Sequence, residues 1–214
     1  MDLRDLLGVL VTWTPFLLQG FGWNVLIALT AMALGTAIGA VLAWLQLSHW
    51  RFAVRFSKVA TELSRNVPTI VFQFYLAVML PNQWILPGTT WTIDIPGWVK
   101  AAVALSVAVV GFTSDNLQKA LSDWRQGRHS TALLFIPSWT SYLLIIVIAS
   151  STASIIGVSE LVSRCNSVIN AMGDTRLLIP IYLYASLFFL FFCYPLTLVM
   201  SRIREKMAAR LVTL

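Results

Sequence analysis

Long apolar runs constrain this chain more than any other feature of its sequence. Several runs of about 20 residues carry almost no charge, and about 20 apolar residues let a helix cross the ~30 Å hydrocarbon layer of a bilayer. Hydrophobic residues make up 58% of the 214 residues and charged residues only 11%, against roughly 25% charged in soluble domains. One soluble core could not bury so many runs. We therefore predict an all-α polytopic membrane protein with a single domain over residues 1–214.

The positions of the apolar runs predict about five membrane spans, at about 22–47, 67–86, 97–115, 131–152 and 177–200. A shorter run at 6–20 is broken by Pro15 and Gly20, which favours an interfacial or tilted lead-in helix. The segment 83–98, rich in Pro, Gly and Trp, is predicted to lie along the membrane interface. Residues 157–176 are predicted to form a loop. Small residues recur along the first span and predict a face for close helix packing: Ala28, Ala31, Gly35, Gly39 and Ala43.

Lys and Arg residues set the predicted orientation, because short loops rich in them stay in the cytoplasm. Most of them follow the first, third and fifth predicted spans. This places the N-terminus outside and the C-terminus in the cytoplasm, which agrees with an odd number of spans. The same topology explains the net charge of +6 better than nucleic-acid binding does. Asp2 and Asp5 lie where a signal peptide would be cationic, so we expect no cleaved leader.

The sequence contains no legible catalytic or metal-binding arrangement. No Ser/His/Asp set, no metal-ligand spacing and no phosphate-binding GxxxxGK[ST] motif is present. We therefore expect no metal, no cofactor and no ATPase site in this chain. An ion-driven transporter would be expected to carry ionisable residues at mid-membrane depth. The predicted spans are nearly free of charge, which argues against ion coupling.

Uncharged polar residues mark a candidate substrate path at the start of the second span and the end of the fourth. As a group they could line a polar route for a zwitterion. The structural alternative is that each hydroxyl bonds a carbonyl of its own helix. The candidate path residues are Asn66, Thr69, Gln73, Ser150, Ser151, Thr152 and Ser154.

Two segments resemble the permeases of polar amino-acid ABC importers, the type that moves His, Glu, Gln, Arg or opines. ELSRNVPTIVFQFYLAVMLP (62–81) resembles that family's E-x-x-R-G-T-P-x-x-V-Q stretch, and STASIIGVSEL (151–161) resembles its S-x-A-S-x-I-G-V-x-E-L motif. The tail from residue 181 looks like the family's last helix. With the first span, the resemblance covers most of the chain in order.

The resemblance implies a type I ABC importer permease in a bacterial inner membrane, moving an amino acid or similar small polar solute by ATP-driven alternating access. The implied partners are a second permease subunit, two cytoplasmic ATPase subunits that bind ATP and Mg²⁺, and an extracytoplasmic solute-binding protein. Residues 160–176 would form the outward loop near the receptor and gate. The charges of that loop suit polar contacts at an interface rim, unless the loop is merely solvated: Glu160, Arg164, Asp174 and Arg176.

The cytoplasmic docking motif is where the chain departs from the family pattern. Members carry E-A-A-x-x-x-G and a helix-loop ending in L-P, whereas this chain reads QGRHSTALLFIP, and much of that element is absent. The candidate docking residues are Gly127, Arg128, His129, Ser130, Thr131 and Ala132. A shortened lever predicts weaker coupling to the ATPase. We therefore expect a heterodimer whose other permease carries an intact docking helix. The alternatives are an ion-coupled transporter or channel, and a non-transporting scaffold derived from the permease fold.

Overall fold

The computed structural model describes residues 3–85 and 92–212, and within them the chain is almost entirely helical. The eight α-helices are α1 (Leu3–Gln46), α2 (Arg51–Asn66), α3 (Thr69–Met79), α4 (Gly97–Arg125), α5 (His129–Leu133), α6 (Phe135–Ala149), α7 (Leu161–Met172) and α8 (Leu178–Val212). Two 3₁₀ segments, Ser150–Ile156 and Thr175–Leu177, follow α6 and precede α8. A small antiparallel hairpin joins β1 (Gln83–Ile85) to β2 (Thr92–Asp94), with Gln83 opposite Asp94.

Four helical stretches in the described residues are long and apolar enough to cross a membrane: Arg4–Gln46, Gly97–Arg125, His129–Ile156 and Thr175–Met207. The all-α polytopic prediction is confirmed. The predicted separation of a lead-in helix at 6–20 from a span at 22–47 is wrong, because α1 runs unbroken for 44 residues with Pro15 inside it. Leu17 and Phe21 are buried on either side of Gly20, so packing holds the helix together through this region.

The second predicted span, 67–86, contains a shorter helix than predicted. Its helix α3 has only 11 residues and ends at Met79, which is too short for a crossing. The remaining length needed to cross the membrane is supplied by α2, which was predicted to be part of a loop. Thr61 contacts Ser114, and Gly111 lies against Arg65, so α2 runs antiparallel to α4. The 16 residues of α2 and 11 of α3 together extend about 40 Å at 1.5 Å per residue.

The break between α2 and α3 follows from Pro68. Residues 67 and 68 have extended backbone, as expected for a proline and the residue before it. The tip of the interfacial segment predicted at 83–98, residues 86–91, lies outside the described residues. The second pass is therefore a broken helix that begins at Arg51.

Helix pairing gives alternating directions. Trp23 stacks near Trp98 and Gly39 meets Thr113, so α1 and α4 run parallel. Trp139 donates to Thr36 while Ser150 contacts Asn24, so α6 and its 3₁₀ extension run the opposite way. We call the end that holds the starts of α1 and α4 outer and the opposite end inner, following the predicted orientation.

The predicted small-residue face of α1 is confirmed. All five residues, Ala28, Ala31, Gly35, Gly39 and Ala43, are buried. A Cβ at Gly39 would stand 2.7 Å from Cβ of Thr113 and 2.9 Å from the carbonyl oxygen of Val110. Only glycine therefore allows α1 to approach α4 this closely. The apolar core lies where these helices meet α6, α7 and α8.

The segment predicted as a loop at 157–176 is largely helical. Helix α7 begins after Glu160, which accepts hydrogen bonds from the free N–H groups of Val162 and Ser163, and it ends at Gly173 with φ of 64°. Val168 and Cys165 on its inward face are buried in the core. The turn at Gly157, with φ of 83°, directs the chain from the 3₁₀ segment into this helix.

Candidate functional site

The predicted path residues do not gather in one place. Gln73 of α3 is fully buried, and its Oε1 accepts a hydrogen bond of 2.8 Å from Thr152 of the 3₁₀ segment. Its Nε2 has no hydrogen-bond partner among the described residues. Ser150 instead faces α1, where its hydroxyl accepts from Nδ2 of Asn24 at 3.0 Å. The broken second pass and the 3₁₀ segment thus meet through Gln73 and Thr152.

The hydroxyls of the 3₁₀ segment also form hydrogen bonds with backbone carbonyls of their own helix. Ser150, Ser151 and Ser154 each donate to the carbonyl three residues earlier, at 2.7 to 2.9 Å, and the single proton of Thr152 is shared between Oε1 of Gln73 and the carbonyl of Ala149. Asn66 is exposed at the end of α2, and Thr69 is half-buried at the start of α3. The seven residues therefore do not form one continuous surface in this subunit.

A buried polar junction ties α7 to α1. Glu160 and Asn24 are fully buried, and Nδ2 of Asn24 donates to Oε2 of Glu160 at 2.9 Å. Oδ1 of Asn24 accepts the backbone N–H of Leu161 at 3.1 Å. Burial raises the pKa of the Glu160 carboxyl, although hydrogen bonds from Val162, Asn24 and Ser163 act to lower that pKa. Burial, together with the Glu160 charge, also raises the pKa of the Cys165 thiol to about 12.

Arg164 belongs to the same junction. Its guanidinium donates from Nη1 to the carbonyl of Phe16 at 2.8 Å and to Oε1 of Gln19 at 2.6 Å, and from Nε to the carbonyl of Ser159. It also lies 4.5 Å from the centre of the Phe16 ring. The prediction that Glu160 and Arg164 make contacts at an exposed rim is wrong for this subunit, because both side chains are buried and hold α7 against α1.

The other two residues of the predicted receptor loop lie on the outer surface. Asp174 is half-buried and Arg176 exposed. The Asp174 carboxylate accepts the backbone N–H of Arg176 at 2.9 Å and so caps the short 3₁₀ turn before α8. Their contact with a receptor stays a prediction.

The inner end holds the predicted docking residues in a compact turn. Helix α4 ends at Arg125, Gly127 is exposed with φ of 78°, and the five-residue α5 leads directly into α6. Arg128 pairs with Asp123, and the His129 ring lies 4.4 Å from that of Trp124. Ser130 and Thr131 are half-buried, and Ala132 is buried. Only residues 126–134 separate α4 from α6, so no long docking helix projects here.

A polar groove between α2 and α4 was missed by sequence reasoning. Its cavity has a volume of about 400 Å³ and is lined by Gln46, Lys58, Thr61, Glu62, Arg65, Asp115 and Gln118. At its base, Thr61 and Ser114 share a hydrogen bond of 2.7 Å, and Nε2 of Gln46 donates to both hydroxyls. The i, i+4, i+7 spacing of Lys58, Glu62 and Arg65 was a readable signal that these residues share one helical face. Likewise, Asn24 was visible as a lone amide within an apolar span.

Comparison with known proteins gives three findings. No family model matches the chain. The glutamate/aspartate import permease protein GltK of Escherichia coli O6:H1 (strain CFT073) is 28% identical over 136 residues, 62% of this chain and 60% of that protein. GltK of Escherichia coli O157:H7 gives the same values. The chain therefore spans about three-fifths of the length of the curated relatives that it matches.

A solved structure, described as the crystal structure of an amino acid ABC transporter with histidines, superimposes with a TM-score of 0.76. The match covers 96% of this chain and 99% of that one at 13% sequence identity. The chain has the fold of an ABC transporter permease. The resemblance to amino-acid ABC permeases drawn from residues 62–81 and 151–161 is thereby confirmed. The apolar helices and these relatives together make this chain a multi-pass inner-membrane protein.

No group of three or more His, Cys, Asp or Glu side chains that could hold a metal ion occurs in the described part of the chain. The candidate site is a set of polar contacts: the pair of Gln73 and Thr152, the junction at Glu160 and Arg164, and the groove between α2 and α4.

Proposed function

We propose that this chain is a permease subunit of an amino-acid ABC importer and forms half of the translocation path. The observation that carries the proposal is the likeness of fold over 96% of the chain to an amino acid ABC transporter. The broken second pass supports it, because interrupted helices at membrane depth are tolerated where they line a cavity. The solute would move inward as the subunit alternates between outward-open and inward-open states.

We propose a small polar amino acid as the solute, with glutamate and aspartate as the first candidates. The matched relatives are named as glutamate/aspartate import permeases. On the outer side, Gln73 offers a buried amide with a spare donor, and Thr152 lies beside it. Both could contact a passing solute once the two permease subunits enclose the path.

The partners proposed are a second permease, two ATPase subunits that bind ATP and Mg²⁺, and an extracytoplasmic solute-binding protein. Asp174 and Arg176 lie on the outer surface, where a receptor would dock. The turn at 126–134 is short and rests on Trp124 through His129, which supports weak engagement of the ATPase by this subunit. We therefore propose a heterodimer in which the other permease transmits most of the ATP-driven movement.

Reconstitution tests this function. The chain is co-expressed with candidate permease, ATPase and receptor subunits, and uptake of labelled L-glutamate into proteoliposomes is measured with ATP inside. We expect uptake that requires ATP, the receptor and both permeases. Uptake that persists when the ATPase carries an inactivating substitution would contradict the proposal and favour the ion-coupled alternative. Absence of uptake in a fully assembled, ATP-hydrolysing complex would favour the scaffold alternative.

The heterodimer has its own measurement. Native mass spectrometry of the purified complex is expected to give one copy of this chain for every two ATPase subunits. A complex with two copies of this chain and solute-stimulated ATP hydrolysis would show that the shortened turn suffices for coupling.

A further inference from the structure

The polar groove between α2 and α4 extends from Gly111, at the middle of α4, toward Gln46, the last residue of α1 at the inner end. A Cβ at Gly111 would come within 2.6 Å of Cγ of Arg65, so Arg65 crosses α4 at this glycine. Gly111 is 14 residues from each end of the 29-residue α4, which is about 21 Å at 1.5 Å per residue. Against a hydrocarbon layer of ~30 Å, Arg65 lies within membrane depth, far from the inner turn at 126–134.

Charged residues at this depth are costly and are retained where they face water or a ligand. Arg65 and Asp115 form an ion pair of 3.0 Å, and Lys119 contacts the same carboxylate at 3.0 Å. Among the described residues, neither Lys58 nor Glu62 has an ion-pair partner within 4.0 Å. An unpaired cation and an unpaired anion therefore face the same cavity.

Helix α2 separates its residues into three faces. Small residues, Ala53, Ser57 and Thr61, are buried against α1 and α4. A second face is apolar and exposed, which suits contact with lipid: Phe52, Phe56, Val59 and Leu63. The third face carries Lys58, Glu62 and Arg65 and borders the groove. Because the charges avoid the lipid-facing side, the groove is the side that suits water and solute.

The residues that line the groove carry equal numbers of positive and negative charges, while Lys119 contacts Asp115 from outside the lining. The lining holds two cations, Lys58 and Arg65, and two anions, Glu62 and Asp115. A balanced set of opposite charges matches a zwitterion better than a simple anion or cation. A volume of about 400 Å³ lies within the range of small-ligand pockets.

We propose that this groove is an inner solute site on the translocation path, and that it binds the main-chain charges of an amino acid. Arg65 and Lys58 bind the α-carboxylate, and Glu62 and Asp115 bind the α-ammonium. The solute side chain points away from these four groups, so the site accepts amino acids as a class and leaves selectivity to other parts of the importer. This inference rests on the proposed transport function.

Direct binding tests the site. The assembled importer in nanodiscs, without receptor and without nucleotide, is titrated with labelled L-glutamate. We expect saturable binding that Arg65→Gln weakens at least tenfold. The matched control is Lys119→Gln, which removes a cation bonded to the same Asp115 but not lining the groove, and we expect it to stay within twofold of wild type. Arg65→Lys and Glu62→Gln give independent variants should Arg65→Gln fail to assemble.

Competition identifies the groups that are recognised. L-glutamine, which keeps both main-chain charges, should displace the label. N-acetyl-L-glutamate, which lacks the ammonium, and L-glutamic acid α-amide, which lacks the α-carboxylate, should not. Equal displacement by all three compounds, wild-type affinity in Arg65→Gln, or no saturable binding in wild type would each overturn the proposal.

Uptake in the same preparation distinguishes the two proposals. ATP-dependent uptake by wild type, combined with a binding affinity that Arg65→Gln does not change, would refute the groove site but not the transport function. Uptake that does not depend on ATP hydrolysis would refute the transport function, whatever the binding result.

Discussion

Two arginines of this subunit each lie across a glycine of a neighbouring helix, in very different surroundings. Arg164, at the outer end, crosses Gly20 of α1 and is only 7% exposed. Arg65, at mid-height, crosses Gly111 of α4, and 56% of its side chain is exposed. Arg164 donates to two carbonyls and an amide oxygen of its own subunit. Arg65 has a single carboxylate partner and several free donors.

A structural charge and a ligand-binding charge differ in how many of their donors are bonded within the protein. A buried guanidinium that donates three hydrogen bonds to its own chain holds that chain together, and removing it leaves acceptors unsatisfied. An exposed guanidinium with spare donors contributes little to stability, so its retention at membrane depth calls for another role. The outer junction therefore fixes α7 against α1, whereas the groove is available to a solute.

The largest expected effect is at the outer junction. Arg164→Gln leaves the carbonyls of Phe16 and Ser159 and the amide oxygen of Gln19 short of donors and removes the contact with the Phe16 ring. We expect a loss of about 3 kcal/mol in the free energy of unfolding, since buried unsatisfied groups cost about 1–3 kcal/mol each. Reversible denaturation in mixed micelles measures it. Arg176→Gln, an exposed control in the following turn, should change stability by less than about 0.5 kcal/mol.

Features that depend on neighbouring residues were predictable from the sequence, and features that depend on contacts between distant residues were not. The small-residue face of α1 was predictable because the pattern lies within one helix. Pro68 likewise marked the start of α3 correctly. The packing of α2 as a helix antiparallel to α4 was not predictable. The charges of α2 are typical of a loop, and only the groove beside α4 explains why a helix carries them. The pairing of Asn24 with Glu160 joins residues 136 positions apart, and no local pattern reports such a contact.

The candidate site shows the same limit. Residues 150–154 were identified as polar, and the structure brings Thr152 to Gln73. Whether a hydroxyl faces its own helix, as for Ser151, or a neighbour, as for Ser150, depends on tertiary packing. Glu160 and Arg164 were expected at a rim because charges are usually solvated. Their burial required Asn24, Gln19 and Gly20, which belong to a distant part of the sequence.

The two glycines give the second prediction. Gly20→Ala places a Cβ 3.0 Å from the backbone of Leu161 and 2.7 Å from Cδ of Arg164, so α7 must shift. We expect a loss of about 2 kcal/mol, as for other overpacked sites. Gly111→Ala places a Cβ 2.6 Å from Cγ of Arg65 and 3.1 Å from its backbone nitrogen, so α2 must shift, and we expect a similar loss of about 2 kcal/mol together with weaker solute binding. Unchanged solute binding in Gly111→Ala would contradict the contrast between the two arginines.

The third prediction concerns pH at the outer junction. Burial raises the pKa of Glu160 above its ordinary value of 4.5, so the folded state favours the protonated carboxyl. The stabilisation is fully present below pH 4.5 and is lost as pH rises through the raised folded-state pKa. We expect the unfolding temperature of wild type to fall over this range more steeply than that of Glu160→Gln. Parallel slopes for wild type and Glu160→Gln would show that the junction does not control the titration.

The smallest expected effect on stability is at Arg65. Arg65→Gln breaks one exposed ion pair, and Lys119 still contacts Asp115, so the free energy of unfolding should change by less than about 1 kcal/mol. Denaturation in the same micelles as for Arg164→Gln measures it. ATP-dependent uptake should nevertheless fall at least tenfold, because the α-carboxylate loses its main partner in the groove. A stability loss as large as that of Arg164→Gln would make Arg65 a structural residue as well. Both arginines lie across a glycine, so their positions alone do not distinguish their roles. Loss of uptake without loss of stability in Arg65→Gln would show that Arg65 binds solute and that Arg164 is structural.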